Sequence, residues 1–451
     1  MKKDLLGEWL FGPARALPAG RPALVRALVY VAMLAAGTFV AISRLPFDQQ
    51  NLVWAEDGRV FLTDAFAHDF LTNAFAPYAG YMHLFPRFAA QMVAATTPLE
   101  GVGIAINLWG AALWSAMALT AFVFLRDRIQ LPLAAVLWAV VLLLPVGSLE
   151  LATNVANSHW LLTLGLFVVL ISRSTTRTRA VFGAVIVGVA VLSDPLTLLF
   201  LPLVVLRLVT VRGIRERVVA IVYLAAAVVQ LLVVLGTHRN GETYVSLFGL
   251  LKTYLVRTVW GTLAGGVWGN QFYYAAGSAV TIPLGAAIVA LLVAGIAFRW
   301  GRAGLAVTAL VSSIGYFFVV GAMTWVQIAA VPGGNEVTRA GRYVIVPGLL
   351  LLVALIATIS VWIPTRERAR TTRARVGRVA LIVVTAAVLI APGISEFQTP
   401  SYKEGNPQTS DAIEYVRSQC VGKPDSTVQE VQVGPLGWQI TITCEVLREH
   451  P

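Results

Sequence analysis

Eleven nearly uninterrupted apolar stretches divide this chain, at 23–43, 103–124, 131–147, 158–172, 180–193, 196–210, 217–236, 280–299, 304–327, 342–363 and 379–396. Crossing the hydrocarbon core of a bilayer takes roughly 20 apolar residues in a helix. The pattern therefore predicts an all-α polytopic membrane protein with about eleven transmembrane helices. The two stretches flanking Asp194-Pro195 are short and closely spaced, and they predict a hairpin that stops short of a full crossing. After the last stretch the pattern changes: QTSDAIEYVRSQ, residues 408–419, reads as a short amphipathic helix, and VQEVQV and WQITITC, separated by GPLG, read as two strands of a hairpin.

Composition agrees with the pattern. Of 451 residues 57% are hydrophobic and 13% charged, which a soluble domain of this length does not tolerate. The formal charge of +11 is positional. Basic residues cluster at Lys2, Lys3, Arg15, Arg21 and Arg26, at Arg126 and Arg128, at Arg173, Arg177 and Arg179, and at Arg207, Arg212, Arg215 and Arg217. The remaining clusters are Arg299 with Arg302, and Arg366 to Arg378. They fall at every second connection, the signature of cytoplasmic loops, so no nucleic-acid partner is called for. The N-terminus is expected in the cytoplasm of a multi-pass cell-membrane protein. The connections 44–102, 148–157, 237–280 and 328–341, and the tail after 396, are then extracytoplasmic. The expected organisation is a membrane domain, 1–396, and an extracytoplasmic α+β cap, 397–451. The two cysteines, Cys420 and Cys444, both lie in that cap on the oxidising side, which predicts a disulfide.

The outer connections hold most of the chemistry. The first contains WAEDG, with Glu56 and Asp57, and continues into PYAGYMHLFPRF, with Tyr78, Tyr81, His83 and Arg87. Asp57 is also a natural N-cap for a helix beginning at Gly58. Asn157, His159 and Trp160 follow the third stretch, where His159 and Trp160 equally suit interfacial anchors, and Asp194 before Pro195 is an ordinary turn former. Arg339 and Arg342, with Tyr343 beside them, oppose the positive-inside tendency and imply an anionic partner. A carboxylate plus arginines at an outer surface suits transfer of a sugar from a lipid phosphate to a hydroxyl. The carboxylate takes the hydroxyl proton, and arginine stabilises the departing phosphate. A glycoside hydrolase needs two carboxyl groups flanking the scissile bond, which sequence neighbours fix poorly.

With WAEDG placed directly after the first helix, the layout resembles the GT-C superfamily of integral-membrane glycosyltransferases. The resemblance implies a GT-C-like helical fold, an inverting mechanism, a polyprenyl-phosphate-sugar donor, and a base drawn from Glu56 and Asp57, with Asp57 preferred. The acceptor would be a cell-wall glycan, glycolipid or protein hydroxyl. In that scheme Arg339, Arg342 and Tyr343 hold the donor phosphate, while Tyr78, Tyr81, His83, Arg87, Asn157, His159 and Asp194 line the substrate groove. Some GT-C members use a divalent metal and others do not. His68, His83, His159 and His238 are scattered rather than spaced as ligands, so no metal ligand is assigned, no cofactor is certain and dependence on a divalent metal stays open. The main alternative is a transporter or flippase of a lipid-linked or anionic substrate. Against it stand the near absence of charge within the spans and the lack of paired Gly/Pro-broken segments. Another surface transferase would centre on a nucleophile or metal motif that the sequence lacks.

Overall fold

The computed structural model describes residues 3–12, 22–144, 153–237, 245–324, 341–364, 371–397, 403 and 405–449. Each of the eleven apolar stretches is helical where it is described. After a short helix α1 (Lys3–Phe11) come α2 (Ala23–Ile42), α3 (Leu84–Thr96), α4 (Val102–Leu125), α5 (Leu131–Leu142), α6 (Ser158–Leu170) and α7 (Arg177–Val191). A tight turn at Pro195–Phe200 leads into α8 (Leu201–Thr210), followed by α9 (Ile214–Leu235). Two shorter helices, α10 (Leu247–Thr253) and α11 (Gly261–Ala276), precede α12 (Ser278–Phe298), α13 (Gly304–Met323), α14 (Arg342–Trp362) and α15 (Thr372–Ser395). The chain ends in an α+β unit of α16 (Thr409–Ser418), β1 (Val428–Val433), β2 (Trp438–Thr443) and α17 (Cys444–Glu449).

Seven of the described helices are long and apolar enough to cross a bilayer. The helices α5, α6, α7 and α8 are shorter, and this sets the depth of the site. At 1.5 Å per residue, the 13 residues of α6 and the 15 of α7 span only about 20 Å, against roughly 30 Å of hydrocarbon. Every residue of α6 is buried, so this helix runs through the centre of the bundle and its N-terminus lies below the surrounding helix ends. Asp194 closes the α7–α8 hairpin at the same level.

The basic clusters gather at one end of the bundle. The Arg128 guanidinium donates to the Ile171 and Trp9 carbonyls, and the Trp9 indole donates to the Trp300 carbonyl. Gln130 joins Ser360, Ile363 and Arg378. Arg207, 1% exposed, donates to the carbonyls of Leu170 and Ser172 at 2.6 Å and pairs with Glu216 at 2.6 Å. Arg173 shares that carboxylate. The acidic motif and the C-terminal unit lie at the other end, the arrangement expected of alternating helices.

One expected loop turns out to be largely structured. Within 237–280, the helical segment from Leu247 to Ala276 enters the bundle and leaves at the same end. Leu250 abuts Gly321 near the end of α13, and Tyr254 then bonds Ser313 at 3.0 Å, halfway along that helix. Thr262 packs on Gly348 of α14. Gly265 breaks the returning helix with φ 75°, and the Glu396 carboxylate accepts from the N–H groups of Gly266 and Val267 just beyond the break.

The C-terminal strands pair antiparallel, Val433 opposite Trp438 and Val428 opposite Thr443, and Cys420 is disulfide-bonded to Cys444. The unit shares one hydrophobic core with the first outer connection, in which Val53, Phe61 and Leu62 pack with Val431, Val433, Ile440 and Ile442. Gly58 explains the last letter of WAEDG. A Cβ there would lie 2.9 Å from Val53 and 3.0 Å from Val433, so only glycine lets the motif pass beneath the hairpin.

Candidate functional site

The motif begins on a strained residue. Ala55 has φ 49°, a left-handed conformation rare for L residues outside turns. Its N–H donates to the Gly434 carbonyl at 2.5 Å, and the Gly434 N–H returns a bond to Val53. Asp57 then opens a π-turn, Asp57–Leu62, without capping it. Its carboxylate crosses to the next outer connection, where the oxygens accept from the N–H groups of Ala156 at 2.8 Å and Val155 at 3.1 Å. Asp57 is 1% exposed. Burial pushes its pKa up, opposed by the Ala156 N–H, the positive charge of Lys403 and the Val155 N–H. Burial likewise pushes Lys403 down, with Asp57 pulling the other way. The two side chains therefore neutralise one another.

Lys403 is the residue that the sequence hides. It stands in a polar linker, SYKEG, yet it is 1% exposed and donates to Asn107 Oδ1 at 3.2 Å. Asn107 is saturated. Its Nδ2 donates to the Gln50 and Leu52 carbonyls, and its Oδ1 accepts from Thr153 as well as Lys403. Nothing in the spacing of Lys403 or Asn107 signals this network, because its members are separated by up to 296 residues.

Glu56 has the opposite surroundings. Its carboxylate is half-buried and, among the described residues, makes no hydrogen bond or ion pair. It acts electrostatically on Tyr78 and on His159; burial and then Glu56 hold the Tyr78 phenol above its ordinary range. From Tyr78 the site continues through aromatic contacts. His83 lies 5.4 Å from Tyr78, 4.1 Å from Tyr81 and 6.5 Å from His159, centroid to centroid. His159 lies 4.4 Å from Trp160, and Trp160 meets Tyr343 edge-on at 6.0 Å. The Arg342 guanidinium stands over the Tyr343 ring at 5.1 Å. His159 Nδ1 donates to the Ala156 carbonyl at 2.8 Å, leaving Nε2 as the ring's second functional atom, and Glu56, Asp194 and Arg342 all bear on that ring. Asp194 caps the turn before α8 through Leu196 N–H and accepts from Thr163, so the turn-former role and the site role coincide. Tyr316 interacts with Asp194, and two buried donors, Ser158 Oγ and Trp160 Nε1, have no partner among the described residues.

The structure thus brings Glu56, Tyr78, Tyr81, His83, His159, Asp194, Arg342 and Tyr343 into one continuous set at the recessed end of α6. Asn157 is at its rim, as the N-cap residue of α6. Arg87 is elsewhere. It is 1% exposed, donates to Asp64 at 2.8 Å and Asn73 at 2.6 Å, and lies over the Phe61 ring, so it braces the interior of the loop. Arg339 and His238 fall outside the described residues. Among the described residues no three His, Cys, Asp or Glu side chains converge as metal ligands.

No family model matches this sequence, and no curated protein does. Among solved structures, the fold is similar to the crystal structure of the Archaeoglobus fulgidus oligosaccharyltransferase in complex with Zn and sulfate, with 12% identity and a TM-score of 0.41 over 87% of this chain. The chain spans 56% of that structure's chain. The likeness is too distant to carry residue roles, substrates or metal to this chain.

Proposed function

We propose that this end of the protein is an inverting glycosyl-transfer site that takes a sugar from a polyprenyl phosphate and delivers it to a cell-envelope acceptor hydroxyl, with the basic end in the cytoplasm. The observation that carries the proposal is Glu56, an uncommitted, half-buried carboxylate facing a Tyr and His wall, on one continuous surface with Arg342. A general base needs an oxygen that can reach the acceptor proton. Glu56 offers one, whereas both Asp57 oxygens are taken by Val155 and Ala156. The base therefore moves from the residue preferred on sequence to its neighbour. As the acceptor oxygen attacks the anomeric carbon, its proton passes to Glu56. The bond from sugar to phosphate breaks, and the phosphate leaves as an anion held by Arg342.

The re-entrant Leu247–Ala276 segment favours a second reading, since broken helices aim free backbone groups at cargo in transporters. Here the N–H groups at the break are bonded to Glu396, which removes the groups that cargo would use. The test is native mass spectrometry of purified protein with a panel of polyprenyl-phosphate sugars and acceptors, wild type beside Glu56→Gln. Retention of one donor by both, with turnover by wild type alone, supports transfer. Unaided flux of donor across liposomes with no turnover supports transport.

A further inference from the structure

Glu56 is fixed in space by what holds the residues on either side of it, and the C-terminal end of the chain contributes to both holds. On one side, Ala55 keeps a left-handed conformation against the Gly434 turn of the β-hairpin, while Val53 N–H donates to Thr409 at the start of α16. On the other side, Asp57 is buried between the Val155 and Ala156 N–H groups and the charge of Lys403. Lys403 in turn reaches Asn107, which gathers Gln50, Leu52 and Thr153. An L residue at positive φ persists only where its surroundings impose it, and a buried ammonium persists only opposite a compensating charge. Neither condition is met by residues 44–102 alone.

We infer that the C-terminal segment is a positioning element of the site, with Lys403 and the Gly434 turn clamping the acidic motif so that Glu56 faces His159 only when that segment is docked. The inference rests on the transfer reading proposed above. Lys403 touches no reacting atom; it acts through Asp57 and Asn107.

The test uses full-length protein in five forms: wild type, Lys403→Met, Lys403→Arg, Asp57→Asn and the doubly neutral Asp57→Asn with Lys403→Met. Donor KM, kcat and amide hydrogen exchange over 53–62 and 428–443 are measured in each. Lys403→Met should lower kcat at least about 30-fold with donor KM within about threefold of wild type, and should raise exchange in both segments. Lys403→Arg, which keeps the charge, should recover part of kcat. The double variant, with no charge left unpaired, should fold and exceed Asp57→Asn at least about tenfold in kcat. Wild-type kcat in Lys403→Met overturns the inference. So does a folded double variant no more active than Asp57→Asn, which would return the base to Asp57. If wild type transfers no sugar from any donor, the transfer reading falls, and exchange alone decides the clamp: unchanged protection of 53–62 in Lys403→Met overturns it.

Discussion

The two ends of the helical bundle treat buried charge differently. At the basic end, Arg207 places its guanidinium on the last carbonyls of α6 and on Glu216, which Arg173 also engages. Donors and acceptors there are matched, and the cluster closes the C-terminus of the central helix where the macrodipole favours a cation. At the N-terminus of the same helix, Glu56, Asp194 and Arg342 all bear on His159, and among the described residues Glu56 makes no hydrogen bond and the Ser158 and Trp160 donors have no partner. A saturated network contributes to stability, and an incomplete one at the recessed end of a short helix is what a substrate completes. Glu56 and Asp57 repeat the contrast at adjacent positions, one without a hydrogen bond among the described residues and one bonded at both oxygens.

The sharpest break of that contrast is Glu56→Gln. It keeps volume and removes proton acceptance, and kcat should fall about 100- to 10,000-fold with donor retention unchanged. A variant retaining more than a tenth of wild-type kcat would remove Glu56 as base. Arg207→Met at the opposite end should do the reverse. Leaving Glu216 short of its buried partner costs about 3 kcal/mol of stability, while kcat per folded molecule stays within about twofold. Thermal unfolding in detergent and active-site-normalised rates separate the two, and a large kcat loss without destabilisation would mean that the ends are coupled.

How much of this was legible depends on the range of the interaction. The eleven helices, the C-terminal hairpin and the Cys420–Cys444 bond follow from apolar run length, turn chemistry and compartment, all of which are local. The hairpin at Asp194 was also legible, because a run too short to cross must turn early. The re-entrant segment was not. GGVWGNQFYY has the glycines and polar groups of an exposed loop, and only the packing of Thr262 on Gly348 and the Glu396 cap make it helical. The site was half legible. WAEDG and Arg342 stood out as charges in an apolar chain, but adjacent carboxylates cannot be ranked without knowing what faces them. Lys403 and Asn107 carry no local signal, and Arg87 looked available only because its partners Asp64 and Asn73 lie a turn or more away.

A smaller effect is expected on the donor side. Arg342→Ala should raise donor KM about 10- to 100-fold, the worth of one charged hydrogen bond, with kcat reduced less than in Glu56→Gln. Unchanged donor affinity would move the phosphate away from the Arg342 and Tyr343 pair and toward the 325–340 connection.

The smallest effect concerns pH and sharpens the contrast at the re-entrant break. Burial pushes the Glu396 carboxyl up to about 7, against the Val267 and Gly266 N–H groups and Arg44. A folded pKa raised above the ordinary value near 4.5 means that the native state holds this proton longer than the unfolded chain. The resulting contribution is full below about pH 4.5 and is lost as pH climbs through 7. Melting temperature should therefore decline more steeply between pH 4.5 and 7 in wild type than in Glu396→Gln, which has no proton to lose. Parallel profiles would show that Glu396 is ionised throughout that range. The break at Gly265 would then be closed by a full ion pair with Arg44, a saturated network like that of Arg207.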